Sequence, residues 1–179
     1  MRGPYSAGMK LFTAAFLAVV SPLAACSVSV DEDHRDSTAD VRILTPVGRV
    51  LVRTGGDPDT GLAVYPGSTR VRKHREAEAA DVTVGNSAFG VRVAAVNFES
   101  DASPEAILSY YKSALQGYGS VTECRGNIDF RRSGLVCRKR LFSRTTQLAV
   151  GTEDKHRLVS VKARGTGSEY SVVYVQTRG

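Results

Sequence analysis

With 179 residues, 42% of them hydrophobic, the chain is long enough for one domain with its own core and short for two. Its 24 basic and 18 acidic residues give a formal charge of +6, a mild surplus that no nucleic-acid recognition motif accompanies. No HExxH, G-x-S-x-G, Walker loop or dinucleotide fingerprint occurs, and three isolated histidines supply no base paired with a nucleophile.

The N-terminus reads as an export signal. Arg2 and Lys10 give a positive start, residues 11–20 (LFTAAFLAVV) an apolar core, and small residues lead up to Cys26. The apolar run is about half of the roughly 20 residues a membrane-spanning helix needs, and Ser21-Pro22 interrupts it. Leu23-Ala24-Ala25-Cys26 resembles the lipobox of bacterial lipoproteins at all four positions. The resemblance implies that residues 1–25 are removed and that Cys26 becomes the lipidated N-terminus. The alternative is an ordinary secreted protein cut after Ala25, whose small-residue end is partly present as well. Two or more acyl chains anchor a protein stably, at about 0.8 kcal/mol per buried methylene. A lipid-anchored protein on the periplasmic side of a bacterial membrane is therefore expected. Ser27 after the Cys is similar to the outer-membrane sorting pattern of enteric lipoproteins, which favours the outer over the inner membrane.

Residues 26–40 read as a lipidated tether, because after Val30 they hold almost no apolar side chain to offset the entropy of ordering. As a flexible chain they would span roughly 20 Å. Residues 41–179 then form the single predicted domain. Loss of Arg2 and Lys10 with the signal, which contains no acid, lowers the net charge from +6 to +4.

Residues 41–45 and 49–54 are β-rich runs separated by Pro46-Val47-Gly48, and predict a hairpin. A glycine- and aspartate-rich loop over residues 55–61 follows, then Tyr65-Pro66-Gly67, which suits the centre of a type II turn. A strand resumes near Thr69. Residues 82–84 and 90–99 (GVRVAAVNFE) are strands, the second apolar on both faces and so central. Ser103-Pro104-Glu105 opens a helix, with Ser103 as N-cap and an acid in the first turn. Ile107, Leu108, Tyr111, Ala114 and Leu115 fall on one side, Glu105, Ser109, Lys112 and Gln116 on the other, and Gly117 and Gly119 stop it. Further strands are expected at 120–124, 134–138, 145–150, 157–164 and 169–176. One helix among many strands predicts an α+β fold: an antiparallel sheet with one main helix packed on a face, preceded by a cleaved signal peptide.

Of the three cysteines, lipid takes Cys26, leaving an even pair in an oxidising compartment. A Cys124–Cys137 disulfide joining neighbouring strands is expected, with two buried free thiols as the alternative. A metal site is not expected, because His34, His74 and His156 are far apart in sequence. No cofactor is implied. Basic residues crowd one stretch: Arg125, Arg131, Arg132, Arg138, Lys139, Arg140 and Arg144 stand against Asp129 alone. They are candidates for binding an anionic lipid or glycan or an acidic envelope protein. A solvated surface that serves solubility is the plainer reading.

The lipobox, Thr45-Pro46-Val47-Gly48, Asp59-Thr60-Gly61-Leu62-Ala63-Val64-Tyr65-Pro66-Gly67 and the run from Asp101 through Leu115 together resemble a group of uncharacterised bacterial lipoproteins. The resemblance covers most of the mature chain and implies a compartment and a shared fold, with no activity attached. Two further motifs fail on context. Ser109-Tyr110-Tyr111-Lys112 matches S-x-x-K, but S-D-N and K-T-G are missing and both residues fit the polar side of the helix. Asp57-Pro58-Asp59-Thr60-Gly61 starts like a calcium loop, yet Ser68 stands where the bidentate Glu is required. Tyr65, Tyr110, Tyr111 and Tyr118 suit a core with polar tips better than a pocket. The sequence therefore favours a non-enzymatic envelope binding module. A small envelope hydrolase with an unrecognised site is the alternative, and a purely structural lipoprotein a third reading.

Overall fold

The computed structural model of the chain describes residues 27–33, 38–71 and 79–179. The export signal and Cys26 lie outside the described residues. Among them eleven strands and one helix follow in order: β1 (Ser27–Asp33), β2 (Thr38–Thr45), β3 (Gly48–Thr54), β4 (Thr69–Arg70), β5 (Ala79–Gly85), β6 (Gly90–Ser100), α1 (Pro104–Gln116), β7 (Thr122–Arg131), β8 (Gly134–Lys139), β9 (Thr145–Gly151), β10 (Lys155–Arg164) and β11 (Gly167–Arg178). Pairing is antiparallel in the order β1-β2-β3-β5-β6-β11-β10-β9-β7-β8, with β4 continuing beside β6 past the end of β5. The fold is the expected mainly antiparallel sheet with one helix on a face.

Chain order explains the topology. β6 leads into α1, which carries the chain across to β7 at the far side, and β9, β10 and β11 then step back inward. β11 closes the sheet by pairing with β6 along its whole length, from Ser168↔Ser100 to Arg178↔Gly90. β6 is thus a central strand.

The helix begins as its sequence dictates. Ser103 Oγ accepts a bond from the Ala106 N–H at 3.3 Å, and Pro104 occupies the first turn, where its missing N–H costs nothing. Ile107, Tyr111 and Leu115 are fully buried against Leu148 and Val150 of β9, Val159 and Val161 of β10, and Tyr170 and Val172 of β11. Each such aliphatic side chain contributes roughly 1.5–3 kcal/mol through burial. Glu105, Ser109, Lys112 and Gln116 face solvent. The loop before β4 covers the rest of this face with Leu62 and Tyr65. Its Tyr65-Pro66-Gly67-Ser68 turn closes through Ser68 N–H to Tyr65 O at 3.1 Å, and Gly67 takes the positive φ of 76° that a type II turn requires.

β7 extends further than its sequence suggested and serves two partners. Residues 122–125 pair with β9, whereas residues 126–131 pair with β8. Between them Gly126 has φ 142°, and a Cβ there would lie 2.2 Å from the Arg138 carbonyl oxygen, so no other residue makes this corner without distortion. The β7–β8 ribbon lies over the sheet face away from α1: Ile128, Phe130, Leu135 and Cys137 pack with Cys124, Ala149 and Leu158. Ala149 and Leu158 alternate with the helix-facing Leu148, Val150 and Val159. The Cys124–Cys137 disulfide fixes the ribbon there, with a Cα–Cα distance of 5.4 Å.

One segment departs from the compositional reading. Residues 27–33, expected as part of a tether, pair with β2 from Ser27↔Leu44 to Asp33↔Thr38. The register sets Val28 opposite Ile43 and Val30 opposite Val41, a two-residue alternation that the acids around it conceal in a composition count.

Candidate functional site

The seven basic residues of the 125–144 stretch do not form one patch. Arg125 supports the fold: its Nε donates to the Ser143 carbonyl at 3.2 Å, and its own carbonyl accepts from Arg140 N–H at 3.2 Å. Arg131 and Arg138 share Asp129 on the outer side of the ribbon, Arg138 through a direct Nε–carboxylate bond and Arg131 at 3.8 Å. Arg132 projects from the ribbon turn, 4.0 Å from Glu153. Such exposed pairs are worth little energetically but do neutralise local charge. Lys139, Arg140 and Arg144 form no ion pair among the described residues and flank Leu141 and Phe142, which are 94% and 95% exposed.

A second feature is an aliphatic sheet face that lies outside both packed clusters of the described residues. Following the register across the face opposite α1, one row runs Ile43, Val50, Val84, Val91. The next runs Val41, Val52, Val82, Val93, Val175 and ends at His156. A third carries Ala80, Ala95 and Val173 into Leu158, where the ribbon's own cluster begins. Lateral neighbours half-bury these side chains, and neither packed cluster of the described residues includes the valines of the first two rows. A one-sided antiparallel sheet normally turns polar residues to water. Five strands about 4.8 Å apart and rows about 7 Å apart give a patch on the order of 300 Å², the scale at which an exposed apolar surface is often functional.

His156 marks the boundary between the covered and open parts of this face. Its ring stacks on Phe130 with centroids 3.6 Å apart, and Nδ1 lies 3.0 Å from the Thr152 carbonyl. Burial lowers its pKa below the ordinary histidine value, against the opposing effect of that carbonyl.

On the helix face, residues 57–64 roof a cleft of about 370 Å³ whose floor includes Val96, Phe98, Tyr111 and Val172. Its chemistry is spoken for by the fold. Asp57 pairs with Arg70, and Asp59 Oδ1 accepts from Gly61 N–H at 2.9 Å, the bond of a plain Asx turn. The Tyr111 hydroxyl accepts from Tyr65 N–H at 3.2 Å, and burial, reinforced by Tyr170, pushes its pKa far above the tyrosine range. A phenol so placed stays protonated and makes a poor base. The tyrosines expected as core largely are: Tyr65, Tyr110, Tyr111 and Tyr170 form successive ring contacts at 5.1–5.5 Å.

Tyr118 has a different role, which the sequence did not reveal. Its ring and that of Tyr174 enclose the Arg157 guanidinium, with centroids 3.7 and 4.7 Å from Cζ. Arg157 Nε donates to the Thr60 carbonyl at 3.0 Å, and the Tyr118 hydroxyl donates to that of Gly61. This sandwich ties residues 60–61 to β10. Of the S-x-x-K pair, Lys112 binds Glu123 at 2.9 Å, and the Ser109 carbonyl accepts from Ser113 Oγ. Among the described residues no three His, Cys, Asp or Glu side chains converge as metal ligands.

No protein-family model, curated protein or solved structure matches the chain. The functional reading accordingly rests on the residues and their geometry.

Proposed function

We propose that the chain is a non-enzymatic, membrane-anchored module of the bacterial envelope whose open aliphatic face receives a hydrophobic envelope partner, either lipid acyl chains or an aliphatic protein surface. The observation that carries the reading is the run of cross-strand valines from β2 to β11 on the side away from α1, which belong to neither packed cluster of the described residues. A fold under no demand to bind would place threonine, lysine or glutamate at these alternating positions at no cost to its helix-side core. The lipobox ending at Cys26 supports an envelope location and a lipid anchor.

The test is photo-cross-linking in cells from a reactive side chain introduced at Val84, the most exposed of these valines at 38%. Mass spectrometry then identifies what is captured. A partner captured from Val84 and lost in Val91→Arg supports the reading. Capture that is absent, or indifferent to Val91→Arg, overturns it.

A further inference from the structure

We infer that the β8–β9 turn is a membrane-docking tip: Leu141 and Phe142 enter the interfacial layer of an anionic bilayer while Lys139, Arg140 and Arg144 meet its headgroups. This goes beyond the open-face reading and requires neither that face nor lipidation of Cys26.

Leu141 and Phe142 are adjacent and almost wholly solvated, at 94% and 95%, whereas the next most exposed aromatic side chain among the described residues, Phe89, stands at 50%. They are not on a slack loop. Ser143 N–H bonds the Arg140 carbonyl at 3.1 Å, Ser143 Oγ donates to the Thr145 carbonyl at 2.9 Å, and Arg125 grips the Ser143 carbonyl from the neighbouring strand. The backbone of the turn is therefore bonded in place with two large apolar side chains turned to solvent, where water disfavours them and an apolar layer would accept them.

The surrounding charge names the layer. No acid occurs in the sequence from residue 130 to residue 152, and of the two that border it Asp129 is engaged by Arg131 and Arg138 and Glu153 lies 4.0 Å from Arg132. An exposed apolar pair with cations on both flanks matches the depth profile of a bilayer surface, with acyl chains beneath a plane of phosphates. Lys and Arg stems extend along the apolar boundary while their heads stay at the phosphates. A protein partner would instead need an apolar pocket rimmed by acids.

The register places the tip at the opposite end and opposite edge of the sheet from Ser27, because β9 begins beside the end of β10, whereas Ser27 aligns through Leu44, Arg49 and Gly85 with the start of β6. A second attachment so far from the N-terminus would fix the orientation of the domain on a surface.

The chain contains no tryptophan, so Phe142→Trp in the full chain creates a sole indole reporter. It is to be mixed with vesicles of phosphatidylglycerol plus phosphatidylcholine, or of phosphatidylcholine alone, carrying brominated acyl chains. The expected result is a blue-shifted emission that the bromines quench in the anionic vesicles. Quenching should fall by about tenfold or more in phosphatidylcholine alone, and likewise when Lys139, Arg140 and Arg144 are all changed to Gln. In a separate variant, Phe89→Trp at the other end of the sheet should stay unquenched, and adding Val84→Arg to Phe142→Trp should leave the indole signal unchanged. An unquenched, water-like indole at the tip in both vesicles overturns the proposal. Equal quenching in phosphatidylcholine alone overturns its anionic part. Shielding of the tip indole only when envelope protein is added overturns the bilayer in favour of a protein partner.

Discussion

Removing the Cys124–Cys137 bridge, as Cys124→Ala with Cys137→Ser so that no lone thiol remains, should destabilise the domain by about 3 kcal/mol. The cysteines are 13 residues apart. Closing a loop of that size removes about 10 cal/mol/K of entropy from the unfolded chain, which is about 3 kcal/mol at 25 °C. Lost packing adds about 1 kcal/mol at most, because Cys124 is buried beside Ile128 and Ala149 but Cys137 is partly exposed. The effect should also have a location. The bridge holds the ribbon to the sheet beside the Gly126 corner, so ribbon amides at Ile128 and Phe130 should lose protection before those of Leu148 or Val159. Urea unfolding of the oxidised and variant proteins gives the magnitude, and hydrogen exchange gives the location. A loss below about 1 kcal/mol, with ribbon protection unchanged, would show that ladder bonds and the small apolar cluster hold the ribbon without the covalent link.

Three further outcomes are expected. Arg157→Lys keeps the charge but loses the planar contact with Tyr118 and Tyr174 and the bond to Thr60, and should cost about 2 kcal/mol in thermal or urea unfolding while raising proteolysis within residues 57–64. Ser103→Ala removes the helix cap and should cost about 1 kcal/mol, whereas Ser103→Asp should restore most of it. His156 has a folded pKa below its ordinary 6.5, chiefly through burial, so as pH falls below 6.5 the unfolded chain binds a proton that the folded one resists. Stability should therefore decline below pH 6.5 until the folded ring titrates in turn, and His156→Phe should remove that component from a pH series of unfolding curves.

Much of the fold was legible because local signals agreed with their surroundings. Ser103-Pro104-Glu105 and the spacing of Ile107, Tyr111 and Leu115 specify both the start of α1 and its buried side, and the structure uses them as written. Pro66-Gly67 specifies a turn by backbone preference alone. The cysteine pair followed from parity and from the oxidising compartment that the lipobox resemblance leads one to expect. What escaped notice depends on contacts distant in sequence. Residues 126–131 looked like a charged turn region because Asn127, Asp129 and Arg131 alternate outward, while the inward Ile128 and Phe130 find a partner only once the ribbon lies on β9 and β10. The Arg157 sandwich joins residues 60, 118, 157 and 174, whose proximity no short window shows. The apolar alternation on both faces of β6 was visible. That the described cover of the face away from α1 stops at β9 and β10 depends on where the β7–β8 ribbon folds back, and so on topology.

The measurement closest to the central claim is the accessibility of the open face where the protein works. With Val84→Cys in the full chain, a polar maleimide is applied to isolated native membranes and to the purified protein. Fast labelling of the purified protein and protection in the membranes would bear out a face that is covered by a partner. Equal rates in both settings would contradict the account and leave the valines as a bare sheet surface.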